Sequence, residues 1–247
     1  MLKRSQDAYG RLIHDYYVKE GAGDTDEIVE RDDGWIAISG GPRDYFAPFA
    51  RWPKHHRLAM RWVRGRALDI GSGAGRVSLH LQARGHSVMA IDNSPLAIAT
   101  VRLRGVRDAR ILSITQVSPR LGQFDTVVML GNNFGLFGNP KRARWLLARF
   151  DRMTSSSGRI VAEVLDPYDT TRPEHLRYHR FNRARGRMAG QTRIRVRYLD
   201  LATPWFDYLF VSRNELRKIL RGTRWRIESI IDSTAPTYIA VLCKASA

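Results

Sequence analysis

From Ala67 onward the chain alternates short apolar runs with amphipathic stretches, the pattern of buried strands and the helices that cover them. Residues 67–70 read as a first strand, and the helix behind it places Ala74, Val77 and Leu81 on one face before Gly85 stops it. A second strand covers 87–91. Ser94 then reads as a helix N-cap with Pro95 at the first helical position, and Gly105 ends that helix. Residues 109–114 give a weaker third strand, and the run from Phe124 to Leu130 a fourth, ending in the loop Gly131-Asn132-Asn133-Phe134-Gly135. Asn139-Pro140 opens a helix whose apolar face is Ala143, Leu146, Leu147 and Phe150; residues 155–158 end it, and 159–165 form a fifth strand.

Beyond that point the alternation breaks. Residues 166–190 are polar and arginine-rich, and 191–211 alternate like a hairpin through Ile194, Val196, Tyr198, Phe206, Tyr208 and Phe210. Ser212 and Glu215 form a capping box for a helix to about Arg221, and 225–231 and 238–242 give two closing strands. Only a few residues around Pro236 join that last pair, so it must be antiparallel. Before Ala67, aromatics are scattered at Tyr9, Tyr16, Tyr17, Trp35, Tyr45, Phe46, Phe49 and Trp52. That stretch predicts short helices rather than strands, broken at 21–24 and 40–42. The expected organisation is an N-terminal helical cover (1–66) and a core (67–247) that carries an insertion at about 166–211.

The densest chemistry lies in Asp69-Ile70-Gly71-Ser72-Gly73-Ala74-Gly75-Arg76, followed by Asp92 at the end of the second strand, 21 residues after Gly71. The glycines let backbone pass close to a ligand, and a carboxylate ending the second strand can accept two hydrogen bonds from a ribose diol. A dinucleotide fingerprint needs a third glycine where Arg76 stands. The pattern is acid-x-G-x-G-x-G instead, and here the chain resembles the class I S-adenosylmethionine (SAM)-dependent methyltransferases. The resemblance rests on motif for roughly 60–165 and on pattern alone for the closing strands. It implies an α/β fold, a three-layer Rossmann-like sheet of seven strands with an antiparallel C-terminal hairpin. It also implies a cover beside the cofactor and a lid over the active site. SAM is the implied cofactor, with Asp69, Gly71, Ser72, Gly73, Gly75, Asp92, Asn93, Leu130 and Gly131 as its contacts: Asp92 for the ribose, Asn93 against the adenine, Asp69 toward the amino group. A capping role for Asp69 and a plain turn role for Asp92 stay open.

The acceptor is less legible. Ligands collect beyond the carboxyl ends of the strands, which puts the loop after the fourth strand at the reaction. It lacks the Asn/Asp-Pro-Pro-aromatic motif of enzymes that methylate exocyclic amines of bases. Carbon-5 pyrimidine chemistry would want a cysteine in this part of the fold, and the one cysteine, Cys243, sits in an apolar C-terminal run that reads as a buried structural thiol. Candidates at the mouth are Asn133, Tyr168 and His179 as catalytic groups, beside Glu163, Asp166 and His175. Glu163 has pairing with an arginine as its plain alternative. His175 and His179, four apart, lack a third ligand nearby, so no metal is expected.

Charge adds one question. The net charge is +17, and nine arginines fall between 172 and 197. That segment admits three readings: a solvated lid face, a clamp for an anionic small acceptor, or an RNA-binding surface. Arg193, Arg195 and Arg197 share one strand face and point together toward solvent or an anionic partner. No apolar stretch approaches the roughly 20 residues that cross a bilayer, and residues 1–5 lack a signal-peptide core; a cytoplasmic enzyme is expected. The expected function is methyl transfer to a small molecule, with RNA methylation and non-catalytic SAM binding as the alternatives.

Overall fold

The computed structural model describes residues 2–21 and 26–245. In chain order these form α1 (Ala8–Val18), β1 (Glu27–Arg31), β2 (Ile36–Ser39), α2 (Pro42–Phe46), α3 (Lys54–Ala59), β3 (Ala67–Ile70), α4 (Arg76–Ala83), β4 (Val88–Asp92), α5 (Pro95–Leu103), β5 (Asp108–Ile111) and β6 (Phe124–Met129). They continue with α6 (Pro140–Met153), β7 (Thr154–Leu165), α7 (Pro173–Ala184), β8 (Gln191–Tyr198), β9 (Leu201–Ala202), β10 (Phe206–Leu209), α8 (Arg213–Leu220), β11 (Trp225–Asp232) and β12 (Thr237–Lys244). Seven strands make a sheet of order β11-β12-β7-β6-β3-β4-β5. It is the expected mostly parallel α/β sheet, with β12 antiparallel to both of its neighbours.

The chain divides into two compact units. The first comprises Met1–Pro53, Arg64–Val117 and Ile194–Trp205. In it β3, β4 and β5 run parallel, with Ala67 opposite Val88 and Met89 opposite Asp108. Ile98 and Val101 of α5 bury themselves with Ala90, Val106 and Ala109. The predicted start of α5 is realised: Ser94 Oγ accepts the Ala97 N–H at 2.9 Å, with Pro95 in the first turn. Helix α1 is tied to α5 through Asp7, whose carboxylate accepts both the Gly10 N–H at 3.1 Å and the Leu96 N–H at 3.0 Å. One buried side chain thus caps two helices.

The expectation of helices alone before Ala67 fails. Residues 27–39 form a β1–β2 hairpin around Asp32-Asp33-Gly34, Gly34 taking φ +86°, and β1 pairs on its other edge with β8. The break expected at 21–24 lies, beyond Gly21, outside the described residues. The β1–β8 pairing also names the anionic partner of two of the aligned arginines. Arg195 bonds Glu30 in bidentate fashion at 2.8 and 3.1 Å, and Arg197 reaches the same carboxylate.

The second unit comprises Lys54–Val63, Ser118–Arg193 and Phe206–Ala247. Here β6 and β7 are parallel, Val128 opposite Val161, and β12 is antiparallel to β7, Ala240 opposite Ala162. Helix α6 buries Ala143, Leu146, Leu147 and Phe150 as its spacing predicts, and the Trp225 indole N–H donates to Leu147 O at 2.9 Å. The Ser212–Glu215 capping box opens α8, and Cys243 is buried and free. Within the polar, arginine-rich segment, residues 173–184 are helical, with Tyr178, His179 and Asn182 buried.

Candidate functional site

In the first unit the glycine turn hangs on the end of β4. The N–H groups of Gly71 and Ser72 both donate to Ile91 O, at 2.9 and 3.1 Å, and the Gly73 N–H donates to Asp92 Oδ2 at 3.1 Å. Gly71, Gly73 and Gly75 take φ of +69°, +53° and +78°, the left-handed region that glycine enters without a Cβ clash. At Gly73 a Cβ would also lie 2.7 Å from the Tyr9 hydroxyl. Helix α1 therefore covers the turn, with Ile13, Ala74 and Ala97 in one buried cluster edged by Tyr9, Tyr45 and Phe46. Tyr9 is a site neighbour that sequence reasoning did not single out.

Asp92 serves the fold and leaves capacity for a ligand. Its oxygens accept backbone N–H groups, Gly73 on Oδ2 at 3.1 Å and Ser94 on Oδ1 at 3.0 Å, and the Asn93 N–H also acts on the carboxylate, which leaves acceptor capacity for a ligand. Burial pushes its carboxyl up to about 6, against the lowering effect of the Ser94 and Gly73 N–H groups. Asp69 faces α4: its Oδ2 accepts the Ser78 hydroxyl at 2.6 Å, and burial raises it to about 6 as well, Asp92 adding to the shift. Asn93 is exposed beside them. Ser72 Oγ is buried without a hydrogen-bond partner among the described residues. A buried hydroxyl left over at a glycine turn, with a carboxylate acceptor at the next strand end that is not fully used, is a pair of polar groups that fits a ribosyl ligand.

In the second unit the loop leaving β6 is held as tightly. Leu130 is buried; Gly131 and Asn132 follow with φ of +71° and +61°. Their N–H groups donate to Glu163 Oε2 at 2.6 and 3.0 Å, and the Asn132 carbonyl accepts the Tyr208 hydroxyl at 2.7 Å. Glu163 Oε1 lies 3.1 Å from His55 Nε2 and 2.9 Å from His56 Nε2. The partners of Glu163 are thus two imidazoles and two backbone N–H groups, not an arginine. They hold its carboxyl well below the ordinary range although burial acts the other way. The histidines on α3 went unnoticed in the sequence because nothing local links them to residue 163.

The three catalytic candidates lie in this unit on separate elements. Asn133 follows the clamped pair, at the head of a short 3₁₀ turn that runs to Phe137. Tyr168 and His179 meet edge to face, ring centroids 5.8 Å apart. The Tyr168 hydroxyl donates to Glu215 Oε1 at 2.7 Å, and Arg183 lies over its ring. His175 Nδ1 sits 3.1 Å from Thr170 Oγ1; among the described residues the group of three with metal-ligand spacing is His55, His56 and Glu163, not the pair on α7.

Gly135 marks how closely Tyr208 packs on this loop, since a Cβ there would fall 1.9 Å from the ring. Gly135→Ala must displace a ring whose hydroxyl is already committed, an overpacking worth about 1–3 kcal/mol. A urea melt of the variant is expected to lose that much stability with an unchanged m-value.

Comparison with known proteins agrees with this geometry. The profile of the methyltransferase domain family matches residues 67–158. A glycine/sarcosine N-methyltransferase of Parasynechococcus marenigrum (strain WH8102) is 26% identical over 159 residues, 60% of this chain and 52% of that protein. A protein of the same name from Halorhodospira halochloris is 30% identical over 104 residues, 40% of this chain and 39% of its own. The chain therefore spans about half, or less, of the length of these curated relatives. A SAM-dependent methyltransferase from Bacteroides fragilis, solved with S-adenosylhomocysteine, superposes with a TM-score of 0.84 at 26% identity, covering 100% of this chain and 98% of that one. With the glycine turn, the strand-end acid and the sheet order already in place, residues 67–158 match the methyltransferase domain family and the chain as a whole is similar to class I SAM-dependent methyltransferases.

Proposed function

We propose that the chain transfers a methyl group from SAM to a small-molecule acceptor. The observation that carries the reading is the juxtaposition of an incompletely satisfied Asp92 with the unpartnered Ser72 hydroxyl at the glycine turn. SAM when bound supplies an electrophilic methyl on sulfonium, displaced in line, so the protein's work is to hold, orient and exclude water. In this reading Asp92 accepts the ribose hydroxyls, Ser72 donates to the ligand, Asn93 lies at the adenine, and residues 1–66 act as the cover through α1. Leu130 and Gly131 complete the cofactor contacts, 166–211 forms the lid, and Asn133, Tyr168 and His179 contact the acceptor.

A small acceptor is favoured over RNA by how the arginines are used. Arg31, Arg76, Arg104, Arg149, Arg159, Arg185 and Arg195 each lie over an aromatic ring, and Arg195 and Arg197 both pair with Glu30. Guanidiniums spent on packing and internal pairing are not a phosphate track. Among the described residues no helix is long and apolar enough to cross a membrane.

The test is incubation of the purified chain with methyl-labelled SAM and fractionated cell extract, with glycine and sarcosine as first single acceptors because the curated relatives are named for them. Label is expected in the low-molecular-weight fraction. Label confined to RNA moves the reading to a nucleic-acid enzyme; tight S-adenosylhomocysteine binding with no label in any fraction reduces it to a SAM-binding module.

A further inference from the structure

We propose that Glu163 is a positioning residue for methyl transfer, fixing the loop Gly131–Asn132 at the carboxyl end of β6 from a seat built by His55 and His56. The inference rests on the methyltransferase reading of the family and goes beyond it. Ligands in open α/β sheets bind beyond the carboxyl ends of parallel strands, and this loop leaves such an end. Its conformation is unusual: two successive residues are left-handed, and the second is not glycine. Isolated, that backbone would relax. Here the two N–H groups converge on one carboxylate oxygen while the carbonyl between Asn132 and Asn133 is held by Tyr208.

The other oxygen of Glu163 explains why the carboxylate stays in place. With two imidazole nitrogens within 3.1 Å of Oε1, a side chain 5% exposed keeps its charge inside the unit. Three hydrogen bonds hold the carboxylate, two backbone N–H groups on Oε2 and His55 on Oε1, so the role the geometry gives Glu163 is to hold the loop rather than to take a proton. The same three residues have the spacing of a metal site. Two features favour the hydrogen-bonded reading. His55 Nε2 is within hydrogen-bond geometry of Oε1 at 3.1 Å, and the second oxygen is already given to two backbone N–H groups.

The experiment uses the full chain and two variants. In Glu163→Gln an amide NH₂ must face either the imidazoles or the backbone N–H pair; Tyr208→Phe removes only the hydroxyl on the Asn132 carbonyl. Hydrogen exchange of the Gly131 and Asn132 amides is followed by NMR, with S-adenosylhomocysteine affinity and methyl transfer to the small-metabolite fraction alongside. Wild type is expected to protect both amides. E163Q should lose that protection at least 100-fold, lose ligand affinity by no more than about tenfold, and transfer methyl about 100-fold more slowly at unchanged pH-rate shape; Y208F should lose about tenfold in rate. Unprotected amides in wild type, or transfer within threefold of wild type in both variants, overturns the proposal. So does a change of pH-rate shape in E163Q, or one equivalent of zinc, iron or manganese in the purified protein. If wild type labels no fraction, the enzymatic reading is what fails, and amide protection present in wild type and lost in E163Q still upholds the clamp.

Discussion

Replacing Asp92 by Asn is expected to weaken S-adenosylhomocysteine binding by about two orders of magnitude, and calorimetric titration reads the loss directly. Two ribose hydroxyls donating to a charged acceptor are worth about 1.5–3 kcal/mol each, and an amide supplies one weaker acceptor in their place. Wild-type affinity should also depend on pH, with a sign the burial of the site fixes. Asp92 ionises at about 6 in the free protein, raised by burial and by Asp7, and Asp69 behind it is raised to about 6 by burial and by Asp92. Hydroxyl donors favour the ionised form of Asp92, so binding releases a proton below pH 6 and affinity climbs as pH rises to about 7, then levels. Stability of the unliganded fold runs the opposite way. Both folded pKa values lie above the unfolded one, so the folded state binds more protons between about pH 4 and 6. The stability this confers is complete below about pH 4 and is lost as pH rises through 6, to the order of 3 kcal/mol for each acid. A Tm that falls from pH 4.5 to 7.5 without ligand, and a ligand-induced rise in Tm that grows over the same interval, are the expected pair. An affinity flat from pH 5 to 8 would remove the ribose assignment from Asp92.

What the sequence disclosed was what a single turn of chain can encode. Ser94-Pro95, Ser212 with Glu215, and the face of α6 at 143, 146, 147 and 150 depend on neighbours within four residues, and all were readable. The glycine turn was readable for the same reason: its bends are local, and Asp92 stands one strand away. The β1–β2 hairpin was not read although Asp33-Gly34 stands between two short runs. Its strands are only four or five residues long, and the outer edge of β1 is completed by β8 at residues 194–197. Strand β7 begins at Thr154 rather than 159 because the polar run 155–158 is extended at a solvent-exposed end, where Ser155 finds Asp125. Helix α7 carries a modest apolar stripe among its arginines, and Pro173-Glu174 at its first turn was the one available signal. Glu163 is the sharpest omission in role. A carboxylate at a strand end has many possible partners, and those it takes lie 31, 32, 107 and 108 residues away in the chain.

The cover over the glycine turn yields the second large effect, in Gly10→Ala. On helix propensity alone this change should stabilise α1 by about 1 kcal/mol. The packing reverses the sign. A Cβ at Gly10 would lie 2.0 Å from Ser94 Oγ and 2.5 Å from Asp7 Oδ1. Those oxygens are not free to move, because Ser94 caps α5 through Ala97 and Asp7 caps both α1 and α5. Making room therefore breaks caps worth about 1 kcal/mol each, on top of an overpacking cost of about 1–3 kcal/mol. The net loss is about 2–4 kcal/mol, which for a chain of this size lowers Tm by roughly 5–15 °C. Displacing α1 also lifts Tyr9 from Gly73, so S-adenosylhomocysteine affinity should fall about tenfold. Gly34→Ala is the control: its φ of +86° makes a side chain strained, yet nothing lies within 4 Å of the added carbon. It should cost about 1 kcal/mol and leave ligand binding unchanged. If the two variants melt together and bind alike, the contact of α1 with α5 does not hold the cover in solution, and the turn is gripped by Asp92 and Ile91 alone.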